Sequence, residues 1–223
     1  IGGRAAVQLT TGDQNTVVGT DAFYYATTTQ GCVAIGFHAG NNINHTDANY
    51  TVAVGYQAGY NITKGFGNVA IGYQALYTPT ERDFNTAIGY QALKAMSGSA
   101  DSIAENTAVG YQAGTANTSG YRNTFIGAYA GISNTTAWTN TLIGVRAGTS
   151  LTSGAGNLAI GYGSMYQSTT SNYNVVIGND AMYYGTAASL QNVVIGHSAG
   201  SRMANVASTK NVYIGNYAGL YAT

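Results

Sequence analysis

A glycine preceded by Ile or Val, and followed three residues later by Ala, returns along this chain on a near-constant interval. That interval constrains the fold more than any other feature. The copies are anchored at Gly19, Gly36, Gly55, Gly72, Gly89, Gly110, Gly127, Gly144, Gly161, Gly178, Gly196 and Gly215. Successive spacings are 17, 19, 17, 17, 21, 17, 17, 17, 17, 18 and 19 residues. A base period of 17 with occasional longer copies describes a turn of chain of fixed size whose loops accept insertions.

The word is written most fully at 85–93, Asn-Thr-Ala-Ile-Gly-Tyr-Gln-Ala-Leu. Ala stands three after the glycine in all copies but one, where Ser164 replaces it. Asn stands four before it in all but two, where Cys32 and Thr51 replace it. The intervening segment, such as Thr86-Ala87-Ile88 or Val175-Val176-Ile177, is β-branched and apolar on both faces. A unit of this length is too short for a strand–helix–strand crossover, which needs about 30 residues. No window carries apolar residues at helical spacing over a useful length. The fold class expected is therefore all-β, a parallel β-solenoid or β-roll of about twelve 17-residue coils. Residues 1–223 read as a single repeat domain, a shaft segment belonging to a longer fibre, since neither end shows a capping element.

Each position of the word has a physical expectation. Ile or Val before the glycine is expected to point into the coil and stack in a core column. The glycine supplies a positive φ or a close backbone approach. Asn tolerates left-handed geometry and can ladder between coils. Gln57, Gln74, Gln91 and Gln112 suggest a second amide ladder, and Tyr56, Tyr73, Tyr90 and Tyr111 a stack of rings. The strand's central slot holds Ala34, Ala53, Ala70, Ala87, Ala108 or Ala159, and elsewhere Val17, Phe125, Leu142, Val176, Val194 or Tyr213. This slot is expected on the opposite face, meeting other copies of the chain in a closed homotrimer.

Composition closes off several functions. Eight Lys and Arg balance eight Asp and Glu, and only 7% of residues are charged against the ~25% usual in soluble proteins. Without a basic field, no nucleic-acid partner is expected. No apolar run approaches the roughly 20 residues of a spanning helix, so no membrane insertion is expected, and no signal peptide is visible. A single cysteine, Cys32, excludes an intramolecular disulfide.

The words at 85–93 and 106–114, Asn-Thr-Ala-Ile-Gly-Tyr-Gln-Ala-Leu and Asn-Thr-Ala-Val-Gly-Tyr-Gln-Ala-Gly, resemble the head repeats of YadA-type trimeric autotransporter adhesins. They are also similar to repeats in bacteriophage tail fibres. The resemblance runs from about Asn15 to Gly219. It implies a left-handed parallel β-roll whose three chains wind into one shaft, an extracellular location and a role in attachment. The longer period here leans toward the tail-fibre version.

Catalytic groups are scarce. His38, His45 and His197 stand in unlike contexts and read as surface histidines. Asp21 and Asp180 share the slot two after the glycine, nine coils apart, and read as local hydrogen-bonding residues of a turn. Ile-Gly-x-x-Ala also fits one hexapeptide of the left-handed acyltransferase helices, but the next slot (Tyr24, Asn41, Tyr60, Tyr77, Lys94, Thr115) does not sustain the hexad. An ice-binding rank is suggested by Thr16, Thr86, Thr107, Thr124 and Thr141, though Val or Leu fills that slot in the other copies. No enzyme activity, cofactor or metal is expected.

For binding, the insertions Asn41 to Tyr50 and Lys94 to Glu105 are the pointers, since added residues in a solenoid fall on loops. The surface-binding candidates are Tyr24, Tyr25, His45, Tyr50, Tyr60, Tyr77, Trp138, Tyr166, Tyr183 and Tyr184. Aromatic rings beside Asn, Ser and Thr suit a host cell-surface glycan or protein, and equally suit packing of loops on the shaft. Sequons at Asn44, Asn49, Asn61, Asn117 and Asn134 matter only in a secreted eukaryotic chain. The expected function is an extracellular fibre segment mediating attachment, foremost a phage tail-fibre shaft. A bacterial surface-adhesin head and a purely structural filament are the alternatives.

Overall fold

The computed structural model describes residues 1–78, 81–98, 103–185, 189–203 and 209–221. Each copy of the word forms one three-residue strand: β1 (Thr16–Val18), β2 (Val33–Ile35), β3 (Val52–Val54), β4 (Val69–Ile71), β5 (Thr86–Ile88), β6 (Thr107–Val109), β7 (Thr124–Ile126), β8 (Thr141–Ile143), β9 (Leu158–Ile160), β10 (Val175–Ile177), β11 (Val193–Ile195) and β12 (Val212–Ile214). Among the described residues the only helical element is a 3-10 turn at Thr46–Ala48. No helix there is long and apolar enough to cross a membrane.

The chain divides into two compact units, Ile1–Tyr111 and Gln112–Thr223. In the first, β1 to β6 pair in parallel in chain order, each residue opposite the same slot of the next copy, as Val17 opposite Ala34. The pairing of Ala87 with Ala108 holds this register across the longest spacing, so the inserted residues are absorbed outside the strands. In the second, β7 to β12 repeat the arrangement. Each unit is a parallel β-solenoid with one coil per copy.

The first unit starts with a further partial coil that the sequence analysis did not count. Ile1-Gly2-Gly3-Arg4-Ala5 matches Ile-Gly-x-x-Ala, 17 residues before the Gly19 copy. Ile1 O accepts from Gly19 N at 2.7 Å, and Gly3 O from Asp21 N at 3.0 Å.

The strand faces are the reverse of the expectation. The central slot (Ala34, Ala53, Ala70, Ala87, Ala108, Phe125, Leu142, Ala159, Val176, Val194) is wholly buried. Ile or Val before the glycine faces outward, 38% exposed at Ile35 and 39% at Ile126. The cause is interior volume. Ala three after the glycine is also buried, and facing it a coil this short has room mostly for another small side chain. In most coils what remains of the core is filled by a larger residue four or seven after the glycine, whereas Phe125 fills it from the strand, over Gly131. Phe23 with Ala26, Met165 with Ser168 and Met182 with Gly185 use the first position; Gly40 with Ile43, Gly59 with Ile62 and Gly200 with Met203 use the second. Leu93 with Met96 fills both.

Three residues of every coil take left-handed backbone: five before the glycine, two after and four after it, as at Phe84 (φ 57), Gln91 (φ 54) and Leu93 (φ 46). Such geometry costs a non-glycine residue roughly 1–2 kcal/mol. It persists because the N–H groups of these residues bond between coils, Phe84 to Phe66 O at 2.9 Å and Gln91 to Tyr73 O at 2.8 Å. The word's glycine lies at φ 126 to 142, and an added Cβ would meet the next coil's carbonyl, 2.5 Å away for Gly144 against Gly161 O. Both expected reasons for glycine therefore apply at once.

The Asn ladder forms. Each Asn Oδ1 accepts from the backbone N and the Nδ2 of the Asn one coil on, as Asn140 does from Asn157 N and Nδ2, both at 2.9 Å. Asn68 to Asn106 and Asn123 to Asn211 repeat this pattern within their units. Where the ladder breaks, Cys32 Sγ and Thr51 Oγ1 both approach Ala48 O, at 3.6 and 3.0 Å. In the first unit Phe37, Tyr56, Tyr73, Tyr90 and Tyr111 stack at 4.9 to 5.4 Å, and Gln57, Gln74 and Gln91 form the amide ladder beside them.

Candidate functional site

Loop residues that leave the core gather into a recess in each unit. In the first unit, the left-handed turn after β1 places Asp21 almost wholly out of solvent, 6% exposed. Arg4 Nη2 donates to Asp21 Oδ2 at 2.7 Å, and His38 Nε2 lies 3.2 Å from the same oxygen. Tyr24 and Tyr25 meet edge to face at 4.7 Å, and the Arg4 guanidinium carbon lies 5.3 Å over the Tyr24 ring. Asn41 Nδ2 donates to Asp21 O at 2.8 Å. With Tyr60 these residues line a space of about 190 Å³. Burial pushes the Tyr60 hydroxyl pKa up, and Tyr77, Tyr25 and Asp21 push it further in the same direction.

In the second unit, the turn after β10 places Asp180 in the same left-handed slot. Tyr183 and Tyr184 meet edge to face at 4.7 Å, and Tyr166 stacks on Tyr183 at 4.6 Å. Tyr162, Asp180, Tyr183, Tyr184, Ser198 and Ser201 line a space of about 290 Å³. Asp180 Oδ1 is buried and has no hydrogen-bond partner among the described residues. Burial pushes the Tyr183 hydroxyl pKa up, and Tyr166, Tyr184, Asp180 and Tyr162 add to it.

The structure thus brings together Tyr24, Tyr25 and Tyr60, with Tyr77 stacked on Tyr60 at 5.4 Å, and separately Tyr166, Tyr183 and Tyr184. The other three candidates stay apart from these recesses. Tyr50 packs edge-on against Phe66 and its ring fills the space over Gly31. Trp138 stacks on Tyr121 at 5.9 Å. His45 Nδ1 accepts from Asp47 N at 3.2 Å and caps the 3-10 turn. The 41–50 insertion is folded onto the coil, with Ala48 and Asn49 buried. Of the 94–105 insertion, residues 99–102 lie outside the described residues.

Two readings of the titratable residues are corrected. Asp21 is ion-paired to Arg4 across coils, and Asp180 holds an Oδ1 that is buried with no hydrogen-bond partner among the described residues, so neither is simply a turn hydrogen-bonder. His38 is not a free surface histidine but is stacked between Phe37 at 4.1 Å and Tyr60 at 5.7 Å. Arg4, Asn41, Ser198 and Ser201 were missed because their slots hold different residue types from copy to copy. A signal did exist: Asp-Ala-Phe-Tyr-Tyr at 21–25 and Asp-Ala-Met-Tyr-Tyr at 180–184 agree at all but the third residue and stand in the same phase of the coil.

Each recess offers ring faces, hydroxyls and a carboxylate, which is equipment for holding a ligand by stacking, hydrogen bonds and charge. Among the described residues no group of three or more His, Cys, Asp or Glu comes together as a metal site. Comparison with family models, with characterised proteins and with solved structures returned no match.

Proposed function

We propose that this chain is a segment of an extracellular attachment fibre, associated side by side with copies of itself as a closed trimer. Its loop residues meet a cell-surface glycan or protein. The observation that supports association is the outward column of Ile and Val, half-exposed on coil after coil, with the Phe37 to Tyr111 ring stack beside it. A monomer leaves this apolar face in water. A stripe that repeats once per coil fits a partner carrying the same repeat, and a second copy of this chain carries it in register. The sparse charge suits such a face, since few ion pairs need to be placed across it.

Sedimentation at micromolar concentration tests the association. A trimer is expected, and polar substitution at Ile71, Ile88 and Ile143 is expected to shift it to monomer with the coil fold retained. A stable monomeric parent would overturn the proposal. For attachment, the labelled protein is applied to cell-surface glycans and to whole cells; absence of retention on both would leave a structural filament as the surviving reading.

A further inference from the structure

The two recesses share one carboxylate and one tyrosine pair, and they differ in what the neighbouring coils supply: Arg4, His38 and Asn41 around Asp21, against Gly163, Ser198 and Ser201 around Asp180. Asp21, Tyr24 and Tyr25 correspond slot for slot to Asp180, Tyr183 and Tyr184. Both tyrosine pairs keep the same edge-to-face contact at 4.7 Å. Two residues after the preceding glycine, the first site has Arg4 and the second has Gly163. Arg4 places its guanidinium against the carboxylate and over the first ring of the pair. At Gly163 no side chain does so and the space is larger; Asp180 Oδ1 is buried without a hydrogen-bond partner among the described residues, as Asp21 Oδ1 also is, since Arg4 bonds Asp21 Oδ2. Arg202, the described cation over this tyrosine pair, is not among the lining residues; it lies 6.0 Å over the Tyr184 ring and 5.4 Å over Tyr221, with no ion pair to Asp180.

We infer that the recess at Asp180, Tyr183 and Tyr184 binds a guanidinium group from outside the coil, in the place that Arg4 fills for Asp21. A half-buried carboxylate with one buried, unused acceptor oxygen favours a cationic donor, and the ring faces favour a planar, weakly hydrated one. Tyr162 and Tyr166 extend the aromatic wall, and Ser198 and Ser201 also line the space with hydroxyls. The inference rests on loop residues and is independent of the association of the strand face.

The test is titration of the full chain with N-acetyl-arginine amide, followed by calorimetry and by tyrosine resonances. Its neutral isostere, N-acetyl-citrulline amide, is titrated in parallel. A peptide with one central arginine distinguishes a protein-borne guanidinium from a free small molecule by which of the two binds more tightly. Saturable binding of the arginine compound, with the citrulline compound weaker by about tenfold or more, is expected. Asp180→Asn and Tyr184→Leu are each expected to weaken it by a similar factor while leaving the circular dichroism unchanged. Gly163→Arg is expected to abolish binding and to raise the thermal midpoint, because it supplies the cation from within. That slot already holds arginine at φ 55 (Arg4) and φ 62 (Arg146), against φ 60 at Gly163, and an added Cβ there would lie 2.7 Å from Asp180 Oδ1 and 3.2 Å from the Tyr183 ring, so both side chains must shift to admit it. Equal binding of the citrulline compound, no saturable binding of either arginine probe, or full binding by a folded Asp180→Asn protein would each overturn the inference.

Discussion

Arg4, in the partial first coil, donates to Asp21 in the next coil at 2.7 Å, and it does so from a side chain that is itself largely in solvent. Its loss leaves a nearly buried carboxylate with His38 Nε2, 3.2 Å from Oδ2, beside it. Arg4→Gly is expected to cost about 1–2 kcal/mol, reduced from a fully buried pair because solvent screens the guanidinium. It also recreates, at Asp21, the vacancy found at Asp180. Urea unfolding reads the first effect, and calorimetry reads the second as an added binding event for N-acetyl-arginine amide.

The Asn ladder predicts a cost that a surface polar residue would not carry. Asn140→Ala deprives Asn157 N of its acceptor and Asn157 Nδ2 of one of its acceptors (Ser171 O stays at 2.7 Å), and leaves Gly154 O without its 2.8 Å donor, all in a buried column. Each buried group left unpaired costs about 1–3 kcal/mol, so the total is expected to exceed about 2 kcal/mol. Hydrogen exchange at the amides of 157–160 is expected to speed up with it. A cost near zero would mean that water replaces the ladder.

Glycine substitution separates backbone strain from close approach. Gly144→Ala places Cβ 2.5 Å from Gly161 O at φ 133, whereas Gly215→Ala meets nothing nearer than 3.9 Å at φ 129. The conformational strain, roughly 1–3 kcal/mol, is shared by both variants. The clash with rigid backbone belongs to Gly144 alone, and thermal midpoints are expected to fall much further for Gly144→Ala.

The reversed strand faces give a pairwise test. Ala87→Leu overfills a wholly buried slot and is expected to cost about 1–3 kcal/mol. Ile88→Thr alters an outward residue and is expected to cost under about 0.5 kcal/mol in the isolated coil, its effect appearing in sedimentation. The opposite order of stabilities would restore the expectation that Ile lines the core.

Cys32 is buried, and burial raises its thiol pKa, opposed by its approaches to backbone at Thr51 and Tyr50. The folded thiol therefore titrates above the unfolded one. Its contribution to stability is whole below the unfolded value and declines as pH rises toward the folded value. Alkylation of the native protein is expected to be slow and to follow unfolding, as mass spectrometry would show. Rapid alkylation under native conditions would contradict this burial.

The repeat carried the fold in the sequence because each coil must return to the same register, so Gly, Ala and Asn recur where only they fit: Gly144 against Gly161 O, Asn140 between Asn123 and Asn157. Periodicity could not say which strand face turns inward, since Thr86-Ala87-Ile88 is apolar on both and the choice depends on the volume enclosed by the coil. Nor did it show the left-handed positions, whose occupants range from Gln91 to Phe84 because coil-to-coil hydrogen bonds, not residue type, hold them there.

The candidate sites divide the same way. Tyr183, Tyr184 and Asp180 were visible as residues, and the near-match of 180–184 to 21–25 was there to be counted. What only the tertiary structure decided is that Arg4 fills one copy and Gly163 leaves the other open. Sequence by itself determined the period, the parallel stacking and the ladder of amides, because those follow from local residue fit repeated in every coil. The direction of the strand faces and the pairing of a carboxylate with a cation one coil away depend on which side chains the closed coil brings within reach, and only folding brings them there.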